Sequence, residues 1–254
     1  MAMADNIIVA EMSWTEVDEA LKERPVAILP VGAVEAHGPH LPLNTDTVIA
    51  TEMAKRGAAK LKEGGVSALI LPPVYFTVAE FGGDFAGTLS VPAETSIALL
   101  RDVAVALAKK FRAVCFVNIH LEPKHQECLK KAVEEAAKTG ASVCFADITK
   151  KRWSELLGDA YRKGDHGGAF ETSLMMAAAP DLVRERERIS LTPTLGDGLV
   201  AAIKKGAKTF LEAGGEDGYV GDPTTASADE GDTLFEGLVE CLSVTVTEHL
   251  GSKA

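Results

Sequence analysis

The 254-residue chain has little sulfur, a deficit of positive charge and no long apolar run, and each shortage removes a class of protein. Its four cysteines, Cys115, Cys128, Cys144 and Cys241, are scattered and form no CxxC pair, which speaks against a zinc ribbon or a disulfide framework. Cys115 and Cys144 lie inside apolar runs and read as small core residues. Lys and Arg number 26 against 37 Asp and Glu, a formal net charge of −11. Nucleic acid and anionic lipid would be repelled at long range, so neither is an expected partner and a small-molecule substrate is. No stretch reaches the roughly 18 apolar residues of a membrane span, and the opening MAMADNIIVAEMSW has no basic region followed by a long apolar run. The reading is therefore a cytoplasmic chain. What is present is a 46% hydrophobic composition, enough for a proper core, with no internal repeat and no linker, so one domain is expected across residues 1–254.

Strand and helix patterns alternate. WTEVDEALKER reads as a helix and PVAILPVGAV as a buried strand ending at a glycine turn; 47–61 is helical and VSALILPPVYF is a second strand. EFGGDFAGTLSVP suits a loop near a ligand or another subunit. AETSIALLRDVAVALAKKF is the clearest amphipathic helix, with Ile97, Leu100, Val103 and Leu107 on one face. AVCFVNI (strand), 124–138 (helix) and ASVCFADI (strand) follow, then a loop-rich stretch over 189–231 and a final helix, TLFEGLVECLSVTVTEHL. Continuous apolar strands alternating with helices predict an α/β fold with a mostly parallel sheet covered on both faces. Sites in such sheets gather beyond the carboxyl ends of the strands.

Two such ends carry unusual chemistry. In VGAVEAHGPHLPLNTDT, Glu35 and His37 are two residues apart and project to one side of an extended segment; in VNIHLEP, His120 and Glu122 repeat the spacing in reverse order. Asp46 adds a carboxylate that a returning loop brings between them. Two imidazoles and three carboxylates match the N/O ligand sets of zinc, manganese or iron(II), and five ligands suit two ions if one carboxylate bridges. Either pair alone reads equally well as hydrogen-bonded structure at a strand end; it is the repetition that favours a shared centre. A third segment, DHGGAFETSLMMAAAPDLV, places His166 before a glycine turn, as a general acid or base. Glu171, Thr172 and Ser173 read there as the opening turn of a helix, and no GxSxG elbow surrounds Ser173. His40 reads as an orienting group or an exposed one, and His125 and His249 as surface residues of helices.

The segments LPVGAVEAHGPHLPLNTD, VNIHLE and DHGGAFETSLMMAAAPDLV, with AEMSW, FAGTLSV and TTASADEG in support, resemble the creatininase (creatinine amidohydrolase) family across nearly the whole chain. The resemblance implies a three-layer α/β/α sandwich assembled as a homohexamer of dimers. It further implies one divalent ion on Glu35, Asp46 and His120, and a second on His37, Asp46 and Glu122. His166 would assist proton transfer, and Glu122 is implied as ligand, base or both. Zinc is the first expectation, with manganese or iron as alternatives.

Two departures qualify the substrate. Ile119 and Pro123 stand where the family has glycine and asparagine, and Arg162 and Lys163 stand where creatininases carry a tryptophan over the creatinine ring, with Trp153 out of register. The expectation is therefore a dinuclear metal amidohydrolase acting on a small cyclic amide or related C–N bond, with creatinine disfavoured. The alternatives are a formamide deformylase, a cyclic-ketone (inosose) C–C hydrolase, a peptide-trimming enzyme, or a metal-binding module without catalysis.

Overall fold

In the computed structural model, residues 6–251 are described apart from Leu195 and Asp197. Ser13 opens α1 (Trp14–Ala20) with a capping box, its hydroxyl accepting the Glu16 N–H while the Glu16 carboxylate accepts the Ser13 N–H. There follow β1 (Val26–Val31), α2 (Thr45–Glu63), β2 (Ala68–Ile70), α3 (Ala93–Leu107), β3 (Ala113–Asn118), α4 (Pro123–Lys138) and β4 (Val143–Phe145). The second half holds α5 (Lys151–Ser154), α6 (Gly158–Lys163), α7 (Ala169–Ala178), α8 (Glu185–Arg188), α9 (Leu199–Lys204) and α10 (Ala228–Gly251).

The strands form a parallel sheet in the order β2-β1-β3-β4, with Ile28 opposite both Ile70 and Cys115, and Cys115 opposite Cys144. Alternate residues face opposite layers. Ile28, Ile70, Cys115 and Val117 pack with Ile49 and Met53 of α2, Leu174 of α7 and Leu238 of α10. Ala27, Leu29, Val114 and Phe116 pack with Leu100 of α3 and Leu129 of α4. Because both faces are covered, the strands read as continuous apolar runs. This is the α/β/α sandwich expected from the sequence. Among the described residues no helix is long and apolar enough to cross a membrane.

Several boundaries differ from the sequence reading. The run VSALILPPVYF yields only the three residues of β2, because Pro72 and Pro73 lack the N–H a ladder needs; beyond them Val74 makes one isolated bridge to Val31. Helix α2 begins at Thr45, so Asp46 sits in a helical first turn instead of on a returning loop. The last helix begins at Ala228, ahead of the apolar run that signalled it.

Candidate metal centre

β1 and β3 are adjacent, so their carboxyl ends deliver the Glu35/His37 and His120/Glu122 pairs side by side. Asp46 reaches the same place because α2 starts hard against the end of β1. Gly32 makes this possible, since a Cβ there would come within 2.8 Å of the Thr47 nitrogen. The DHGG turn closes the site from the other side. Gly167 has φ +58°, and a Cβ there would come within 3.0 Å of the His37 carbonyl.

Each of three histidines spends one ring N–H on a backbone carbonyl, which fixes which nitrogen faces the centre. His37 Nδ1 donates to Glu35 O (3.0 Å), leaving Nε2 at 3.5 Å from Asp46 Oδ1 and 3.6 Å from Glu171 Oε2. His120 Nε2 donates to Val78 O (2.9 Å), leaving Nδ1 at 3.2 Å from Glu35 Oε2 and 3.5 Å from Asp46 Oδ2. His166 Nε2 donates to Ala36 O (2.8 Å), with Nδ1 at 3.8 Å from Glu171 Oε2. Asp46 thus turns one oxygen to each of the two histidines.

All of these groups are buried. Yet both carboxylate oxygens of Glu35, both of Asp46 and Nε2 of His37 make no hydrogen bond. Buried carboxylate oxygens without partners carry a desolvation cost that a cation at that point removes. Burial by itself lowers the histidine pKa values; the surrounding acids override it at His37 and His120, whereas at His166 burial and the nearby His37 charge hold the pKa well below its ordinary value. Glu171 and Asp46 hold His37 well above its ordinary value, and Glu35 and Asp46 raise His120 to about 10. Burial raises Asp165 to about 7, with the Glu171 charge adding to it. Burial also raises Glu122. The field at the centre is strongly negative, and the donor set is that of a divalent cation.

The predicted residues come together, but their grouping differs from the implied one. Among the described residues, triads able to hold an ion are Glu35–His120–Glu122, His37–Asp46–Glu171 and Glu35–His37–His166. Glu122 therefore falls in with Glu35 and His120, where its Oε2 accepts the Phe81 N–H at 3.1 Å, and not with His37 and Asp46. Glu171 is the acid that lies with His37 and Asp46 in this structure, its Oε2 held by the Gly167 N–H at 2.6 Å. Sequence reasoning passed over Glu171 as a helix start. The available signal was an acid in the first turn of a helix that follows directly on the DHGG turn.

Other histidines also differ from expectation. His125 is buried, its Nε2 donating to Asn118 Oδ1 at 2.9 Å, and is not a surface residue. His249 is partly buried, with Nε2 at 2.9 Å from Ser142 Oγ. His40 is buried, and its Nε2 bonds the Thr172 hydroxyl at 2.8 Å instead of a ligand carboxylate. Arg162 is at the rim of the cleft, paired with Asp159, and Lys163 is exposed.

A model of the creatininase family, described as creatinine amidohydrolase, matches residues 10–246. The chain belongs to the creatininase family. The mycofactocin precursor peptide peptidase of Mycobacterium ulcerans (strain Agy99) is 32% identical over 233 residues, covering 86% of this chain and 84% of that protein. The creatinine amidohydrolase of Pseudomonas putida is 27% identical over 267 residues, covering 97% and 98%. Among solved structures, a mutant creatininase complexed with creatine superposes with a TM-score of 0.75 at 25% identity, covering 96% and 98% of the two chains. Two further creatininases of the same fold, at 23% identity with TM-scores of 0.74 and 0.72, are described as "Creatininase Mn" and as a "Zn-Zn type" mutant. Family members thus include amidohydrolases and peptidases, and creatininases with this fold carry metal.

Proposed function

We propose that the protein is a dinuclear metal-dependent hydrolase of amide C–N bonds. The observation that carries this reading is Asp46, buried and without hydrogen bonds, with one oxygen toward His37 and the other toward His120. Glu35, Asp46 and His120 would hold one divalent ion, with Glu122 beside them; His37, Asp46 and Glu171 would hold the other. Zinc fits this N/O set first, and manganese or iron after it. Two such ions supply polarisation of an amide carbonyl and acidification of a water.

The chain's own residues do the rest. Val78 O and Glu35 O lock the ligand histidines in the tautomer that leaves the inward nitrogen free. His166 presents Nδ1, the nitrogen its bond to Ala36 leaves available, toward Glu171 and the cleft, where it carries a proton to the departing nitrogen. Glu122, its pKa raised by burial, is placed to take a proton on the opposite side.

A peptide or other linear amide is a second reading for the substrate beside the cyclic amide. The 32% identical M. ulcerans relative is named a peptidase, and Arg162 stands where creatininases hold an aromatic ring. The proposal includes action as a homo-oligomer in the cytoplasm, in keeping with the exposed apolar Trp14, Phe76 and Ile189. The test is metal per chain by elemental analysis, followed by turnover on cyclic amides, short peptides and ring ketones. Two ions and amide turnover, both abolished by Glu35→Ala or His120→Ala, are expected. Retained activity in either variant overturns the assignment, and turnover of ring ketones alone moves it to C–C cleavage.

A further inference from the structure

The cleft above the centre has a polar floor and hydrocarbon walls. It encloses about 410 Å³, and Glu35, His120, Glu122 and His166 line its base. Its walls are Phe81, Tyr161, Leu199, Val200, Ile203 and Phe210. Phe210 stacks on the His166 ring, with centroids 3.8 Å apart and planes at 19°, and lies 5.8 Å from Phe81. The Tyr161 hydroxyl is already spent on Ile148 O at 2.7 Å, so the residue offers the cleft its ring alone.

Helix α9 is the decisive wall. None of its residues is buried, although Leu199, Val200 and Ile203 are apolar and face the cleft; Val200 is 40% exposed. The helix is nonetheless fixed in place. Leu199 N donates to Gly164 O at 3.2 Å, and a Cβ on Gly164 would fall 2.8 Å from Val200. Apolar side chains held in position around a polar floor and left partly open to the cleft are surface that a ligand covers. Among the described residues lining the cleft, the one guanidinium or ammonium group is that of Arg162, and it is already paired with Asp159.

Resting on the amide-hydrolase reading above, we infer that the substrate carries, next to its reacting amide, an uncharged hydrocarbon group, aromatic or branched aliphatic, that packs against α9, Phe81 and Phe210. Compact polar rings would leave α9 uncovered. The volume is at the low end for ligand pockets, so it admits a small amide or a single residue of a chain, not a folded polypeptide.

Calorimetry on the full-length protein loaded with zinc tests this, comparing acetohydroxamate with 3-phenylpropionohydroxamate, which share the chelating group and differ in hydrocarbon. The phenyl compound is expected to bind about tenfold to a hundredfold more tightly, the range for burying a Phe-sized group. Ile203→Asp is expected to remove most of that gain. Equal affinities in the wild type overturn the inference. If neither hydroxamate binds, the metal reading fails on its own, and 3-phenylpropanamide, which needs no metal, still tests the wall by NMR. Intermolecular contacts to the Leu199, Val200 and Ile203 methyls support it, and their absence overturns it.

Discussion

Glu171 Oε2 lies 3.6 Å from His37 Nε2, on a different element and fixed by the Gly167 N–H. Beside Asp46, whose Oδ1 is 3.5 Å away, His37 thus meets a second carboxylate that comes from α7. Glu171→Ala is expected to lower bound zinc from about two ions per chain toward one. Glu122→Ala is expected to weaken turnover more than metal content. Elemental analysis of the two variants decides, and the reverse pattern would restore Glu122 as the partner of His37.

Asn118 Nδ2 and Gln126 Nε2 both donate to the His120 carbonyl at 2.7 Å, while Asn118 Oδ1 accepts from His125. These bonds hold the backbone that aims His120. Removing both donors in Asn118→Leu/Gln126→Leu is expected to cost about 10–100-fold in zinc affinity, the usual scale for groups that orient a ligand. Competition with a chromophoric chelator measures it, and unchanged affinity would reduce these amides to packing.

His40 ties stability to pH. Burial, with the nearby His37 and Arg188 charges, lowers its pKa to about 4, below the ordinary 6.5. The unfolded chain then takes up a proton below pH 6.5 that the folded chain refuses. The contribution is complete above about 6.5 and is lost as pH falls toward 4, amounting to about 3 kcal/mol at most. Denaturant unfolding from pH 7 to 4 should show this slope in the wild type and a shallower one in His40→Gln.

Arg188 is buried and donates to Pro223 O at 2.7 Å and Thr224 O at 3.0 Å, while its other nitrogens bind Glu185. Arg188→Leu strands these carbonyls. A loss of about 2 kcal/mol is expected from equilibrium unfolding, on the scale of leaving buried polar groups unsatisfied.

Gly231 lets α10 touch α7, because a Cβ there would fall 2.6 Å from the carbonyl carbon of Ser173. Gly231→Ala must separate the two helices, and a fall in Tm of several degrees is expected by calorimetry. An unchanged Tm would mean that α10 shifts freely on α7.

The layer order, the parallel sheet and six of the gathered residues, His166 among them, were legible in the sequence, because apolar runs record burial and the two His/acid pairs each sit on one continuous segment. Glu35, His37, His120 and Glu122 needed only the rule that parallel strands end on the same side. Asp46 was legible as a participant but not as part of a helix, since the start of α2 depends on how closely Gly32 lets Thr47 approach. Tertiary structure alone decided that Glu171 faces His37, that His125 is buried behind His120, and that α9 lines the cleft. Local pattern fixes which way a residue faces on its own element; which element lies opposite is set by packing between segments far apart in the chain, where sequence spacing carries no information.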